Sequence, residues 1–477
     1  MARISNALKI SLFALGGLVG ALVLAALAVM LLADSDAFKS HAEAAAFAAL
    51  GMNVTVEGRL RIGVIPGLQA TLENVRIRNR GTEIAFVKQA VLAINPLSLF
   101  RQKLRYDSVA LNGARISIER DRDGRYNYEK LPEAEKMFHA LDVREVTFAD
   151  LIVAYADKES GIGFVSGGCS GELTNMRHPG GATFLSRVSL SGKFACSEVR
   201  GKDTTVSDLT FSVKAIEGDF NFEPVTMSVF GGHGSGSMRV DRSVAEPIVQ
   251  VSYSLSKFRI EEFFKGRPLG KSVNGLMDFS TTLSMRGQTR VALRQSANGE
   301  MSLSGMNLTL GGVDIDKELL KYESSQNFNL IDVSAFLFAG PIGLAATKGY
   351  EFAGLGQQSG GSTRIRTVVS EWKVEKGVAY AKDVVMATRK NRLALHGGLD
   401  FVDDKYDEVI VALIDSSGCA KVRQKIRGPF SKPVVQKNGV MASLAGPVLK
   451  LLGKARELVR GTRETCEVFY SGSVGPP

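Results

Sequence analysis

Through the middle of the chain, apolar and polar residues alternate with a period of two. Leu209, Phe211, Val213 and Ala215 are separated by Thr210, Ser212 and Lys214, and the same rhythm returns at Met277, Phe279, Thr281, Leu283 and Met285, and at Met301 and Leu303. Successive residues of a strand point to opposite faces, so each run predicts a strand with one apolar and one wet face. Asn112-Gly113 and Asp123-Gly124 carry the residue types that tolerate the positive φ angles of tight hairpins. The spacing therefore predicts successive antiparallel strands, with Val109 and Leu111 on one and Ile116 and Ile118 on the next, within a long meander.

A different pattern marks the ends. From Ile10 to Leu32 the chain carries no charge, and at ~1.5 Å per residue such a helix covers a hydrocarbon core of ~30 Å. Arg3 and Lys9 precede this run and Asp34 and Asp36 follow it. That bias leaves a short N-terminus in the cytoplasm and sends the body across. A cleaved signal peptide is the alternative, with small residues around Ala26-Leu27-Ala28, although its apolar core is normally about 7 to 15 residues long. A helix is expected over Asp36 to Leu50, and an amphipathic one in DKELLKYESSQNF, which starts at Asp316. Val333 to Ala346 is apolar but too short to span, and Gly340-Pro341 would break a helix there; it reads as a cover for a sheet edge or as a lid. A last helix is expected to start at Pro447, with Val448, Leu451, Leu452, Ala455 and Leu458 on one face.

Composition adds turn chemistry and a compartment. The 50 glycines among 477 residues exceed ordinary usage, and no low-complexity linker divides the β-rich part. Four cysteines, at 169, 196, 419 and 466, have no C-x-x-C spacing. An even number outside a metal or redox pattern fits an oxidising compartment, and of the three possible connectivities the simplest pairs Cys169 with Cys196 and Cys419 with Cys466. The net charge of +10 is spread along the chain among acidic residues, which argues against a nucleic-acid groove and fits attraction to anionic headgroups.

No constellation for catalysis emerges. The five histidines, at 41, 139, 178, 233 and 396, show no metal-ligand spacing. The cluster from Gly231 to Gly236 matches no phosphate-binding or nucleophile motif and reads as a turn or bulged strand. Asp403-Asp404 and Glu261-Glu262 are adjacent pairs that a strand would send to opposite faces. No enzyme, cofactor or metal is expected.

Taken in order, the segments GMNVTVEGRLRIGVIPGLQATLENVRIRN and AVLAINPLSLFRQKLRYDSVALNGARISIERDRDGRYNYEK resemble the opening of the AsmA family. Its pattern falls here on Gly58, Pro66, Gly67, Asn74, Pro96, Asp123, Gly124 and Asn127. MSVFGGHGSGSMRVD, NGLMDFSTTLSMRG and MSLSGMNLTLGGVDID continue the likeness, and the C-terminal stretch is similar to a subgroup with its own terminal module. The resemblance implies a protein anchored in the bacterial inner membrane with a periplasmic body, whose elongated antiparallel sheet curls into an open groove related to bridge-like lipid-transfer proteins. It also implies phospholipid transport, a part in outer-membrane homeostasis, and no catalytic residues.

The expected organisation is a cytoplasmic N-terminus and anchor over 1–33, a helix and β module over 34–130, β-groove repeats over 131–315, a helical insertion over 316–358 and a C-terminal β module with a terminal helix over 359–477. Leu209, Phe211, Val213, Met277, Phe279, Leu283, Met285, Met301 and Leu303 are the candidates for lining the groove. Acyl chains need only exclusion from water, so such a lining suffices. Phospholipids and the inner membrane are the expected partners, with outer-membrane or periplasmic proteins as further ones and no nucleic acid. Alternation alone also fits a closed sandwich. An assembly factor for outer-membrane proteins, acting through an exposed sheet edge, is the alternative function.

Overall fold

A computed structural model describes residues 52–63, 68–94, 106–128, 141–180, 185–265, 273–325, 360–436, 466 and 468–477. The expected anchor, the helix over Asp36 to Leu50, the Val333 to Ala346 segment and the helix from Pro447 lie outside them. Among the described residues no helix is long and apolar enough to cross a membrane. The chain forms two compact units, one comprising residues up to Val229 with His233–Val251, the other Phe230–Gly232 with Ser252 onward. Both are mainly β.

The first unit contains β1 (Asn53–Val56), β2 (Leu60–Gly63), β3 (Leu68–Asn79), β4 (Thr82–Ile94), β5 (Tyr106–Arg120), β6 (Leu141–Asp157), β7 (Ile162–His178), β8 (Ser189–Gly201), β9 (Thr205–Ile216), β10 (Asp219–Val229) and β11 (Gly232–Asp241). β1 and β2 both pair with β3, and the ladders then run in chain order to β10. All are antiparallel except β5–β6. That exception corrects the expected all-antiparallel meander. Asp123-Gly124 does turn the chain back on the end of β5, where Arg120 and Tyr126 form an antiparallel bridge, but a parallel pair cannot be joined by a tight turn, so this turn does not lead directly into β6.

Asn112-Gly113 is a second correction, because it lies inside the continuous strand β5. Gly113 takes φ +60, and Leu111 and Ala114 on either side of the dipeptide are both buried on the same face. The neighbouring strands do the same in register. Leu72 and Val75 flank Glu73-Asn74, Ala90 and Val87 flank Gln89-Lys88, and Phe148 and Leu151 flank Ala149-Asp150. Asn74 and Asp150 also have positive φ, at 54° and 52°. Each outward pair slips the alternation by one residue without shifting the register between β3, β4, β5 and β6; only toward β7 does the pair Ala149-Asp150 form a bulge. Together they form a seam across β3 to β6 that leaves the apolar face continuous on both sides. In β7 to β9 the seam moves one rung, to Gly168, Ser197 and Asp208.

The second unit contains β12 (Ile248–Arg259, from Ser252 on), helix α1 (Ile260–Phe263), β13 (Val273–Asn274), β14 (Leu276–Arg286), helix α2 (Arg290–Gln295), β15 (Asn298–Gly311), helix α3 (Ile315–Ser325), β16 (Ser362–Glu375), β17 (Val378–Ala387), β18 (Arg392–Asp400), β19 (Lys405–Ile414), β20 (Ala420–Pro429) and β21 (Val434–Gln436). Antiparallel ladders join β14 through β21 in chain order. α3 falls on the amphipathic stretch expected from Asp316, with Ile315 and Leu319 buried and Leu320 exposed. The glycine cluster begins in the turn between β10 and β11, where Phe230 and Gly231 have positive φ, and runs from Gly232 to Gly236 within β11.

β17 to β19 are buried on both faces where Val384–Ala387, Arg392–Leu395 and Val411–Ile414 run side by side. Val384, Met386, Leu393, Leu395, Val411 and Leu413 line the main core, whereas Val385, Ala387, Ala394, Ala412 and Ile414 pack on the back with Phe469, Tyr470 and Val474 from the C-terminal segment. Runs such as VVMA and VIVALI therefore lack alternation, as strands covered on both sides do.

The turn after β5 explains one residue of the AsmA-like pattern. Asn127 behaves as a surrogate strand: its Oδ1 accepts from the Glu119 N–H at 3.1 Å, its N–H donates to the Glu119 carbonyl at 2.9 Å, and its Nδ2 donates to the Ser117 carbonyl at 2.8 Å. The Asn127 carbonyl in turn accepts from Asn79 Nδ2. Beside it, burial would raise the Asp157 carboxyl, but N–H groups of Ser160 and Glu159 and the Arg120 guanidinium outweigh that and hold it below the ordinary carboxylate range. Asn127→Ala should cost roughly 1–3 kcal/mol, the range for stranding buried hydrogen-bond partners, as a lower urea midpoint at unchanged slope.

Candidate functional site

The apolar face can be followed strand by strand from the ladder registers. In the first unit one row runs Leu72, Ala90, Leu111, Phe148, Gly171, Phe194, Phe211, Val225. Leu72, Ala90, Leu111 and Phe148 are almost fully buried, and from Phe194 onward the row is only half-buried. In the second unit a row runs Leu283, Gly299, Val374, Ala379, Leu399, Tyr406. Here Val374, Ala379 and Leu399 are buried and Leu283 is half-buried. Each unit thus has an apolar face that is sealed over some strands and opens to solvent over others, β8–β9 in the first and β14–β15 in the second.

The half-open part of the first unit is aromatic. Phe148 and Phe194 stack with ring centroids 6.0 Å apart, Phe194 and Phe211 with centroids 5.0 Å apart, and Phe222 meets the Phe211 ring edge-on at 6.1 Å. Such offset and edge contacts add to the area that the rings bury. Gly171 makes the stack possible. A Cβ there would lie 2.7 Å from the Phe194 ring and 2.7 Å from the Lys193 carbonyl, so only glycine lets Phe194 lie across β7 toward Phe148.

The sequence-derived candidates divide along the same gradient. Val213, Met277, Phe279 and Leu303 are buried, whereas Leu209, Phe211, Leu283, Met285 and Met301 are half-buried. Asp278, Ser280 and Ser284, between them, are exposed. Phe148, Phe194 and Phe222 were not among the candidates. The bulge at Ala149-Asp150 breaks the period beside Phe148, and Phe194 sits in a run of small and polar residues; Gly171, opposite it on β7, and Gly192, two residues before it, were the available signal.

Polar chemistry on this face is sparse. Among the described residues the Tyr253 hydroxyl has no hydrogen-bond partner, and burial pushes its pKa up to about 12. Among the described residues no group of His, Cys, Asp and Glu could hold a metal ion. Cys169 and Cys196 are directly opposed on β7 and β8 and are bonded, next to Leu209 in the apolar row, and Cys419 is bonded to Cys466.

The AsmA family pattern matches residues 4–162 and 189–381. The chain belongs to the AsmA family. The match takes in β1 to β6 and all but the last residues of the ladder from β8 to β17, and so includes the half-open strands of both units of this AsmA family member. No curated protein matches the chain. The strands β18 to β21 and the C-terminal segment lie beyond the matched residues.

Gly171→Ala should displace Phe194 from the stack and lower stability by about 1–3 kcal/mol, as overpacking in a filled site does, read as a shift in the urea midpoint. A second test concerns His396, which stacks on Phe469 with centroids 4.3 Å apart while its edge remains exposed. Loss of solvent against its neighbours, and secondarily Arg423, hold its pKa below the ordinary 6.5. A depressed folded-state value means that the unfolded chain binds the proton first, so this small stabilisation is complete above pH ~6.5 and is lost as pH falls through that range. An NMR titration should place the His396 midpoint below 6.5, and His396→Phe should remove that part of the acid sensitivity.

Proposed function

We propose that this AsmA family member handles phospholipid in the bacterial envelope, holding acyl chains against the half-open apolar face and contributing to phospholipid transport and outer-membrane homeostasis. The run from Ile10 to Leu32 anchors it in the inner membrane, its body lies in the periplasm, and its sheet presents a groove. It acts without catalysis, cofactor or metal.

One observation carries the reading: the apolar row does not end where its burial ends. Phe194, Phe211 and Leu209 continue the face of Leu111 and Phe148 but stay half-exposed, and Leu283, Met285 and Met301 repeat that in the other unit. A protein that used this face only as core would be expected to seal it. A surface lined by rings and methylenes with few polar groups suits a ligand that needs shelter along its length and little directional recognition. Family membership supports the same reading.

A photoreactive residue at Phe211 or Leu283, in the full chain in native membranes, should crosslink phospholipid. The same probe at Thr210 or Ser284, on the opposite face, should not. Leu283→Asp should block lipid capture with modest loss of stability, because its site is half-hydrated. Equal labelling of both faces, or none at Phe211 and Leu283, would overturn the proposal.

A further inference from the structure

We propose that Cys419–Cys466 is a thiol–disulfide exchange site whose opening by a dithiol reductant releases the C-terminal segment, residues 468–474, from the back of β17 to β19. This inference is independent of the lipid reading, because it concerns the opposite face of the sheet.

The segment is docked by side chains and main chain together. Phe469, Tyr470 and Val474 are buried against Val385, Ala394 and Ala412. Val468 bridges to Cys419, and the N–H groups of Phe469 and Tyr470 both donate to the Gly418 carbonyl, at 2.9 and 3.0 Å. The Tyr470 hydroxyl donates to Asp383 at 2.8 Å, and the Ser473 N–H donates to the other oxygen of that carboxylate at 2.9 Å.

Docking also has an unfavourable component. Arg392 is 4% exposed, and its partners are the carbonyls of Val474, Asp415 and Ser416. Among the described residues its Nε has no hydrogen-bond partner. The Tyr470 ring, 5.8 Å away, gives it a cation–π contact. A guanidinium held this way gains from hydration once the segment leaves. The covalent bond opposes that gain by keeping the segment at high effective concentration across a sequence separation of 47.

The two disulfides differ in access. Cys169 is 3% exposed and lies in the apolar row with its half-buried partner Cys196, whereas Cys466 is exposed and Cys419 half-buried. Exchange requires a thiolate to reach a sulfur, and Cys466 is the one exposed cysteine among the four, so its bond is the more open to attack. The reductant thiolate attacks Cys466 Sγ and the S–S bond breaks, leaving Cys419 as a thiolate that takes up a proton. The second thiol of the reductant then resolves the mixed disulfide and frees Cys466 as a thiol. The protein gains two electrons and two protons, and the dithiol is oxidised to its disulfide.

The test uses the full chain in detergent, titrated with dithiothreitol without denaturant, alkylated with N-ethylmaleimide and mapped by peptide mass spectrometry, with hydrogen exchange followed in parallel. Cys419 and Cys466 should be alkylated at reductant concentrations at least ten-fold lower than Cys169 and Cys196. In the same range, amides of 468–474 should exchange at least ten-fold faster while those of β7 and β8 stay unchanged. Oxidised Cys466→Ser protein should show the faster exchange without reductant; if that variant does not fold, the wild-type titration decides alone. Simultaneous opening of both disulfides, or undiminished protection of 468–474 after both cysteines are alkylated, would overturn the proposal.

Discussion

A strand that is buried on one face must keep its apolar side chains on that face through every bend. Strict alternation would satisfy this in a straight strand, but a long strand in a twisted sheet has to yield somewhere. Here it yields at outward pairs such as Glu73-Asn74, Asn112-Gly113 and Ala149-Asp150, where Asn74, Gly113 and Asp150 adopt positive φ. Because these pairs stand in register on neighbouring strands, each slip in alternation is matched by the next strand. The rows from Leu72 to Phe211 and from Val75 to Leu209 depend on that match, and so do the aromatic stack and the placing of Cys169 opposite Cys196.

The period of two was legible wherever a strand runs without a bulge, as between Met277 and Met285, and the exposed Asp278, Ser280 and Ser284 fall where the alternation puts them. The family was legible in the order of its short motifs. The Asn112-Gly113 dipeptide misled because positive φ serves a hairpin turn and a slip of alternation within a continuous strand equally well, and only the partner strands distinguish them. The parallel β5–β6 pair was hidden for a related reason: a turn signal marks where a strand stops, and says nothing about the side on which the chain returns. Phe194 was missed because its environment is made by Gly171 on the neighbouring strand, which no local window contains.

Graded burial separates two tasks carried by one kind of residue. Leu111, Val109 and Phe148 hold the first unit together, and Val374, Ala379 and Leu399 do so in the second. Phe211 and Leu283 extend the same rows at smaller energetic stake, since a half-buried side chain contributes part of the transfer free energy of a sealed one. β17 to β19 use a third arrangement in which the chain's own C-terminal residues cover the back of the sheet, so the strands beyond the family match carry a second small core of their own.

The seam also constrains how such a chain can change length. A single residue inserted between Leu111 and Ala114 would turn Ala114, Ile116 and Ile118 outward and bring Arg115 and Ser117 inward, and the registered neighbours would no longer match it. Lengthening or shortening near the seam is therefore tolerated in steps of two within one strand, or as a one-residue change made in all the adjoining strands together. Aligned relatives should accordingly keep the parity of the spacing across each seam strand while the ends of the strands vary freely.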